Sequence, residues 1–139
     1  MSGGENNKAV LYLNRTPDAE NSGFRVMSGE DFGYLYSGKF EAPACMDRIV
    51  GYAIRLPLDE SGHEIHIIEC VDPSDTEEVG ALLLARVERM QSAEILEFAP
   101  EGYEICFRGA IVRAYGRYVF LLSTPDNASL EAEIKRLIG

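Results

Sequence analysis

The sequence predicts an α+β protein in which two hairpins form an antiparallel sheet and two helices pack on one face of it. Strand-like segments come in pairs, and each pair precedes a segment whose apolar residues recur at helical spacing. A composition of 46% apolar and 26% charged residues is typical of a folded globular chain rather than a disordered one. From residue 51 the expected order is therefore ββαββα.

The 139 residues are enough for one domain. Residues 1–7 are polar and contain two glycines, so we expect a flexible tail followed by a single domain over 8–139. Lys8–Asn14, Phe24–Met27 and Phe32–Tyr36 have strand character between turn-rich stretches. The N-terminal third is therefore predicted to be irregular or to contain short strands.

The first hairpin is predicted at Gly51–Leu58 and Glu64–Val71, which are joined by a short polar turn. A helix over Asp75–Glu94 follows, and Ser74 and Glu77 have the spacing of a capping box at its start. Its residues at spacings of three, four and seven to eight form one apolar stripe, made of Val79, Leu82, Leu83, Val87 and Met90.

The second hairpin is predicted at Tyr103–Ala114 and Arg117–Ser123, with Tyr115 and Gly116 at the turn. The segment Thr124–Asn127 then opens a last helix, whose apolar stripe is Leu130, Ile134, Leu137 and Ile138. Because each helix is apolar on one side only, both are expected on the same face of the sheet, which leaves the other face open.

The net charge of −10 is concentrated in one segment. Residues 59–105 carry thirteen acidic side chains, and their basic residues are Arg86 and Arg89. This excess argues against binding to nucleic acid or an anionic membrane, since both would repel the chain. A solvated surface is the simpler interpretation of the segment, and a site for a cation or a basic partner is the alternative.

Several motifs carry a family resemblance over about residues 46–139. They are the strand Glu64–Glu69, the helix Val79–Gln91 with its Arg86, the turn Phe98–Tyr103, and the closing hairpin with Ala110–Val112 and Gly116–Val119. In this order they resemble an uncharacterised domain family found mainly in predicted lipoproteins of Gram-positive bacteria. The resemblance implies an extracytoplasmic, lipid-anchored protein whose leader and anchor are absent from this chain. It carries no known catalytic residue, and a cytoplasmic location remains the alternative.

No metal or cofactor site is predicted. His63 and His66 are three residues apart in a predicted strand, where alternation places them on opposite faces. The three cysteines form no Cys-x-x-Cys pair, so buried free thiols are expected. A disulfide between Cys70 and Cys106 stays open, because both lie in predicted strands.

Four residues are candidates for ligand binding. Glu64 and His66 share one face of their strand, Arg108 belongs to an arginine cluster near the last hairpin, and Tyr115 suits an exposed recognition surface. The arginines Arg108, Arg113 and Arg117 are also suited to balancing the acidic segment across the sheet. Three further residues are given structural roles, namely Arg86, Ser74 and Glu77.

Arg86 lies next to the apolar stripe of its helix. A buried guanidinium needs a partner, so we expect a carboxylate or strand-end carbonyls beside it.

Three functions are consistent with this sequence, and no catalytic residue is assigned. The first is a non-catalytic module that binds a protein or small ligand through the open face of its sheet. The second is an enzyme with a site around Glu64, His66 and Glu69. The third is a cytosolic regulatory or chaperone-like homodimer that pairs sheets or edge strands. The lack of a recognisable catalytic motif favours the first.

Overall fold

The computed structural model describes residues 29–56 and 63–138. The predictions for residues 1–7, Lys8–Asn14 and Phe24–Met27 lie outside the described residues, as does the turn at 59–62. Within the described ranges, no helix combines the length and hydropathy needed to cross a membrane.

The described chain contains five α-helices and four strands. In chain order they are α1 (Gly29–Ser37), β1 (Ile49–Arg55), β2 (Glu64–Cys70), α2 (Thr76–Met90), α3 (Ala93–Phe98), α4 (Glu101–Arg108), β3 (Ile111–Tyr115), β4 (Tyr118–Ser123) and α5 (Asn127–Ile138). Short 3₁₀ turns at Met46–Arg48 and Pro73–Asp75 precede β1 and α2.

The strands form one antiparallel sheet in the order β1-β2-β4-β3. Tyr52 of β1 pairs with Ile68 of β2, and Ile68 pairs in turn with Val119 of β4. The turn between β3 and β4 contains Gly116, whose positive φ of 60° places it in the left-handed region that glycine adopts without strain. The α+β class and the antiparallel sheet are therefore confirmed.

The prediction that both long helices cover one face is wrong. Ile68 packs in one core cluster with Val79 and Leu83 of α2, whereas Ile65 packs with Ile134 of α5 in a second cluster. Since neighbouring side chains of a strand point to opposite faces, α2 and α5 lie on opposite sides of the sheet. The described residues thus form a helix–sheet–helix sandwich, and α1 joins α2 in the first layer through Phe32.

The predicted ββαββα order is not confirmed, because three helices separate the two hairpins. The long helix ends at Met90 rather than Glu94, and Ser92 then caps α3 by accepting a hydrogen bond from the Ile95 amide. The predicted strand Tyr103–Ala114 is split into α4 and the shorter β3.

Two local conditions favour the helix in the first half of that segment. Glu101 and Glu104 lie in the first turn of α4, where acidic side chains stabilise the helix dipole. At the other end, the Gln91 side chain donates to the carbonyl oxygens of Phe107 and Arg108.

Phe32–Tyr36, predicted as a short strand, lies in α1. Helical spacing brings Phe32 and Tyr36 onto the same buried side of α1. The segment after α1 then folds back over Gly33, where a side-chain carbon would lie 1.7 Å from the Glu41 carbonyl oxygen. Glycine at this position therefore permits the turn that holds α1 against the sheet.

The capping box is present two residues earlier than predicted. The Asp72 carboxylate accepts from the Ser74 amide, and the Asp75 carboxylate accepts from the Asp72 amide. Ser74 contributes its hydroxyl to Asp72 and is not itself the cap. The roles given to Ser74 and Glu77 are wrong, because the chain turns into a 3₁₀ helix at Pro73 before α2 begins.

The three cysteines are free and buried, as expected. Cys106 lies in α4 rather than in a strand. The disulfide between Cys70 and Cys106 that the sequence left open is therefore not formed.

Candidate functional site

A chain of four polar side chains fills the space between the sheet and the first helical layer. It contains Tyr36 of α1, His66 and Glu64 of β2, and Arg86 of α2, and we call it the buried network. Glu64 and His66 have no solvent-exposed surface, and Tyr36 is 1% exposed. The Arg86 side chain is 20% exposed and forms the only part of the network that reaches solvent.

Hydrogen bonds connect the buried network from end to end. The Tyr36 hydroxyl lies 2.6 Å from His66 Nδ1, and His66 Nε2 lies 2.7 Å from Glu64 Oε2. Arg86 donates to Glu64 through two atoms: Nε to Oε2, and Nη2 to Oε1 at 2.9 Å. This two-point pairing is the arrangement in which a guanidinium binds a carboxylate most strongly.

Backbone contacts connect the same cluster to α1. Arg86 Nη1 donates to the Leu35 carbonyl oxygen at 3.2 Å, and Arg89 Nη2 donates to the same oxygen at 2.7 Å. The expectation that Arg86 needs a carboxylate or strand-end carbonyls beside it is confirmed by the Glu64 carboxylate, whereas the carbonyl it contacts belongs to helix α1 and not to a strand end. The two arginines hold the end of α1 against α2.

Burial and pairing set the protonation of the network. Burial alone would raise the pKa of Glu64, but the hydrogen bonds from Arg86 and His66 and the charge of Arg86 outweigh it and lower that pKa to about 2. Burial also lowers the pKa of His66, against the opposing effect of Glu64, so the ring is neutral near pH 7. The pKa of Tyr36 is raised far above its ordinary value, mainly by burial.

These protonation states fix the direction of each hydrogen bond. Glu64 is ionised and can only accept, so His66 Nε2–H donates to it. A neutral imidazole has one protonated nitrogen, so His66 Nδ1 accepts a hydrogen bond from the Tyr36 hydroxyl. Both ring nitrogens of His66 are therefore hydrogen-bonded within the protein.

Ser123 is the strand partner of Glu64 and is fully buried. Its hydroxyl oxygen makes no hydrogen bond within the described residues. The side chains of His66 and Glu64 make no hydrogen bond to this hydroxyl. The contact between a nucleophile and its base that acyl transfer needs is therefore not formed.

The structure does not bring the four predicted ligand-binding residues together. Glu64 and His66 lie inside the protein, whereas Arg108 is exposed on α4 and pairs with Glu104 one helical turn away. Tyr115 lies at the far end of β3, where Lys135 sits over its ring at 5.4 Å. Arg108 and Tyr115 are thus separated by the length of a strand.

Glu69 does not belong to the proposed enzyme site either. It lies on the opposite face of β2 from Glu64 and accepts hydrogen bonds from Arg117 at 2.6 and 2.9 Å. Arg117 therefore pairs with an acidic residue of the 59–105 segment across the sheet, as the charge-balancing interpretation expects, whereas Arg108 pairs with Glu104 within its own helix. Arg113 pairs instead with Glu131 of α5.

Sequence reasoning missed two parts of the network, Tyr36 and the Leu35 carbonyl. Tyr36 is separated from His66 by 30 residues and lies in a segment predicted to be a strand. The sequence did contain a signal for a further partner, because Glu64 and His66 are two polar residues on one face of an otherwise apolar strand. Buried polar groups need partners, and a partner could have been sought among the tyrosines.

An open cleft lies beside α3 and α4. It has a volume of about 550 Å³ and is lined by Gln91, Ala93, Leu96, Glu97, Glu104 and Arg108. It contains no residue of the buried network. Across the described ranges, no group of three or more histidine, cysteine or acidic side chains is arranged to hold a metal ion.

Comparison of the chain with family models, with curated proteins and with solved structures found no match in any of the three. The fold and the site together define an α+β sandwich with a buried Tyr–His–Glu–Arg network.

Proposed function

We propose that this protein is a non-catalytic binding module in which the buried network has a structural role. The observation that carries the proposal is the complete burial of Glu64 and His66, the residues best suited to acid–base chemistry. A general base must come within hydrogen-bond reach of its substrate. Here each polar atom of His66 is already bonded to another residue of the protein.

The contacts of the network support a structural role. They connect α1, β2 and α2 through one continuous set of hydrogen bonds, in which Tyr36 and His66 are 30 residues apart and Glu64 and Arg86 are 22 residues apart. A bonded polar network in a core also disfavours alternative packings, since any shift leaves a buried charge unpaired. We infer that it fixes the first helical layer on the sheet and so gives the module a rigid frame.

The binding surface must differ from the open sheet face that the sequence suggested, because α5 covers that face. The exposed apolar side chains of the described chain lie mostly on the helices and their connections. Binding through a helical surface is therefore the version of this function that we propose.

Chromogenic ester, phosphate-ester and glycoside substrates test the non-catalytic function. We expect no turnover by the native chain above that of the Glu64→Gln variant. Turnover that disappears in Glu64→Gln and persists in Glu104→Gln would support the enzyme instead. Circular dichroism must show that both variants are folded in the assay.

An edge-paired homodimer is the second candidate. It is favoured by β3, which pairs only with β4 in the described sheet and exposes Arg113, Ala114 and Tyr115. It is opposed by the charge of Arg113 in the middle of that edge, since charged residues protect edge strands from pairing. A sedimentation velocity series that shows a dimer sensitive to Ala114→Pro would favour this candidate.

We also propose an extracytoplasmic, lipid-anchored location, which the family resemblance of residues 46–139 supports. Expression of the complete reading frame with a C-terminal tag tests it. Recovery in the membrane fraction with a lipid-modified cysteine is the expected result, and recovery in the cytosolic fraction would contradict it.

A further inference from the structure

We infer that the exposed side of α3 is a docking surface for a basic, amphipathic segment of a partner protein. This inference rests on the proposed binding function and specifies the surface and the partner. The surface consists of Ile95 and Phe98 together with Glu94 and Glu97, and we call it the α3 face.

The α3 face has apolar side chains suited to anchoring a partner. Phe98 is 79% exposed, the largest exposure among the large apolar residues of the described chain, and Ile95 is 44% exposed. Their spacing of three residues places them side by side on the helix. Exposed aromatic residues in such a cluster are typical of binding surfaces, because aromatic anchors dominate the energetics of protein interfaces.

The position of α3 is set by contacts on its other side. Leu96 packs against the core, and the Ser92 hydroxyl accepts from the Ile95 amide at the start of the helix. None of the six residues is buried, and a helix this short has little intrinsic stability. Packing of Leu96 therefore turns Ile95 and Phe98 outward.

The charge around the α3 face selects the partner. Four acidic residues lie on α3 and α4, and the only cation on these helices, Arg108, is already paired with Glu104. Glu97 and Glu104 also line the open cleft between the two helices. Such a surface attracts lysine and arginine side chains while its apolar pair accepts leucine or phenylalanine.

A second copy of the chain is a poor occupant of this surface. Each copy carries a net charge of −10, and the cations Arg117 and Arg136 are already paired with Glu69 and Glu133. Two copies would therefore repel one another at an acidic surface. An amphipathic helix with a basic side satisfies both the apolar and the electrostatic features.

The absence of tryptophan from the chain permits a direct binding assay. The Phe98→Trp variant places a single tryptophan in the α3 face. The probe is a 16-residue helical peptide of leucine and lysine at amphipathic spacing, and the control peptide has glutamate in place of lysine. We expect a saturable blue shift of tryptophan emission with the lysine peptide, weakened by salt, and none with the glutamate peptide.

Affinity measured with a labelled lysine peptide then identifies the residues responsible. Phe98→Ser should weaken binding at least about tenfold, as expected for an anchor residue, and Glu94→Gln with Glu97→Gln should weaken it several-fold. Leu84→Ser is the matched control, because Leu84 is 51% exposed on α2. It should leave the affinity unchanged.

Three outcomes would overturn the docking surface. They are equal binding by Phe98→Ser and native protein, equal binding of both peptides, and a concentration-dependent dimer abolished by Phe98→Ser. Turnover that depends on Glu64 would overturn the proposed function instead, whatever the peptide result. The two failures are therefore distinguishable.

Discussion

Replacing Arg86 by methionine tests whether the buried network stabilises the fold. Methionine keeps the apolar stem that lies beside Leu82 and Leu83 but cannot donate a hydrogen bond. The variant removes both hydrogen bonds to Glu64 and the one to the Leu35 carbonyl oxygen. It leaves a fully buried carboxylate that keeps its hydrogen bond from neutral His66 but has lost the positive charge that balanced it.

Removing one partner of a buried ion pair costs about 3–5 kcal/mol. The Glu64 pKa, lowered from 4.5 to about 2 by its partners despite burial, has the same direction, because it shows that the fold favours the ionised carboxylate that Arg86 pairs with. We therefore expect Arg86→Met to reduce the free energy of unfolding by about 3–5 kcal/mol, a large part of the roughly 5–15 kcal/mol typical of a domain.

Urea unfolding at pH 7, followed by far-UV circular dichroism, measures the loss. Arg108→Met is the matched control, because it removes a helical arginine that is 61% exposed and pairs with Glu104. An exposed pair of this kind contributes about 0–1 kcal/mol. The double variant Arg86→Met with Glu64→Gln should recover part of the stability, since the unpaired charge is removed as well.

Equal effects of Arg86→Met and Arg108→Met would refute the reasoning. The reasoning would also be refuted if the double variant lost as much stability as the Arg86→Met and Glu64→Gln single variants lose together. Either result would mean that Arg86 and Glu64 are not coupled through a buried ion pair.

The remaining predictions concern the pH dependence of stability, the Tyr36 hydroxyl and the reactivity of the cysteine thiols. Because the folded-state pKa values of His66 and Glu64 lie below 6.5 and 4.5, stability should fall as the pH drops below about 6.5 and again between about 4.5 and 2, as measured by urea unfolding at each pH. Tyr36→Phe leaves His66 Nδ1 without its donor and should cost about 1–3 kcal/mol in the same assay. The Cys70 thiol, whose pKa burial raises to about 11, should react with a thiol reagent only after unfolding.

Each of these predictions has a result that contradicts it. Constant stability between pH 7 and 5 would show that His66 is accessible to protons in the folded state. An unchanged stability of Tyr36→Phe would remove Tyr36 from the network. Rapid reaction of any cysteine in the native protein would contradict the burial of all three thiols.

The sheet was largely predictable from the sequence. The ends of β1 lie two to three residues from the predicted ends, and those of β2 and β4 lie within one residue, because their apolar runs are bounded by turn residues. The need of Arg86 for a buried partner was also predictable, since a guanidinium next to an apolar stripe must be neutralised. The sequence did not identify Glu64 as that partner, because this requires knowing that α2 packs on the face of β2 that carries Glu64 and His66.

Two features were predicted wrongly for physical reasons. Tyr103–Ala114 was predicted to be one strand, but the acidic first turn of α4 and the contacts of Gln91 with its last turn favour a helix in the first half. The face of α5 was also misjudged, although β4 contains the five consecutive apolar residues Tyr118–Leu122. Such a run without alternation indicates a strand buried on both faces, which requires helices on both sides of the sheet.

The central claim is that the Tyr36–His66–Glu64–Arg86 network is a buried structural element rather than a reactive site. The nitrogen resonances of the His66 ring, measured by NMR between pH 8 and 5, test it most directly. Because the chain has two histidines, the His66 resonances have to be distinguished from those of only one other imidazole, that of His63. The account predicts a ring that is neutral at pH 7 with its proton on Nε2, and whose titration is displaced below the ordinary pKa of 6.5. A His66 ring that titrates near its ordinary pKa of 6.5, or that carries its proton on Nδ1, would contradict it.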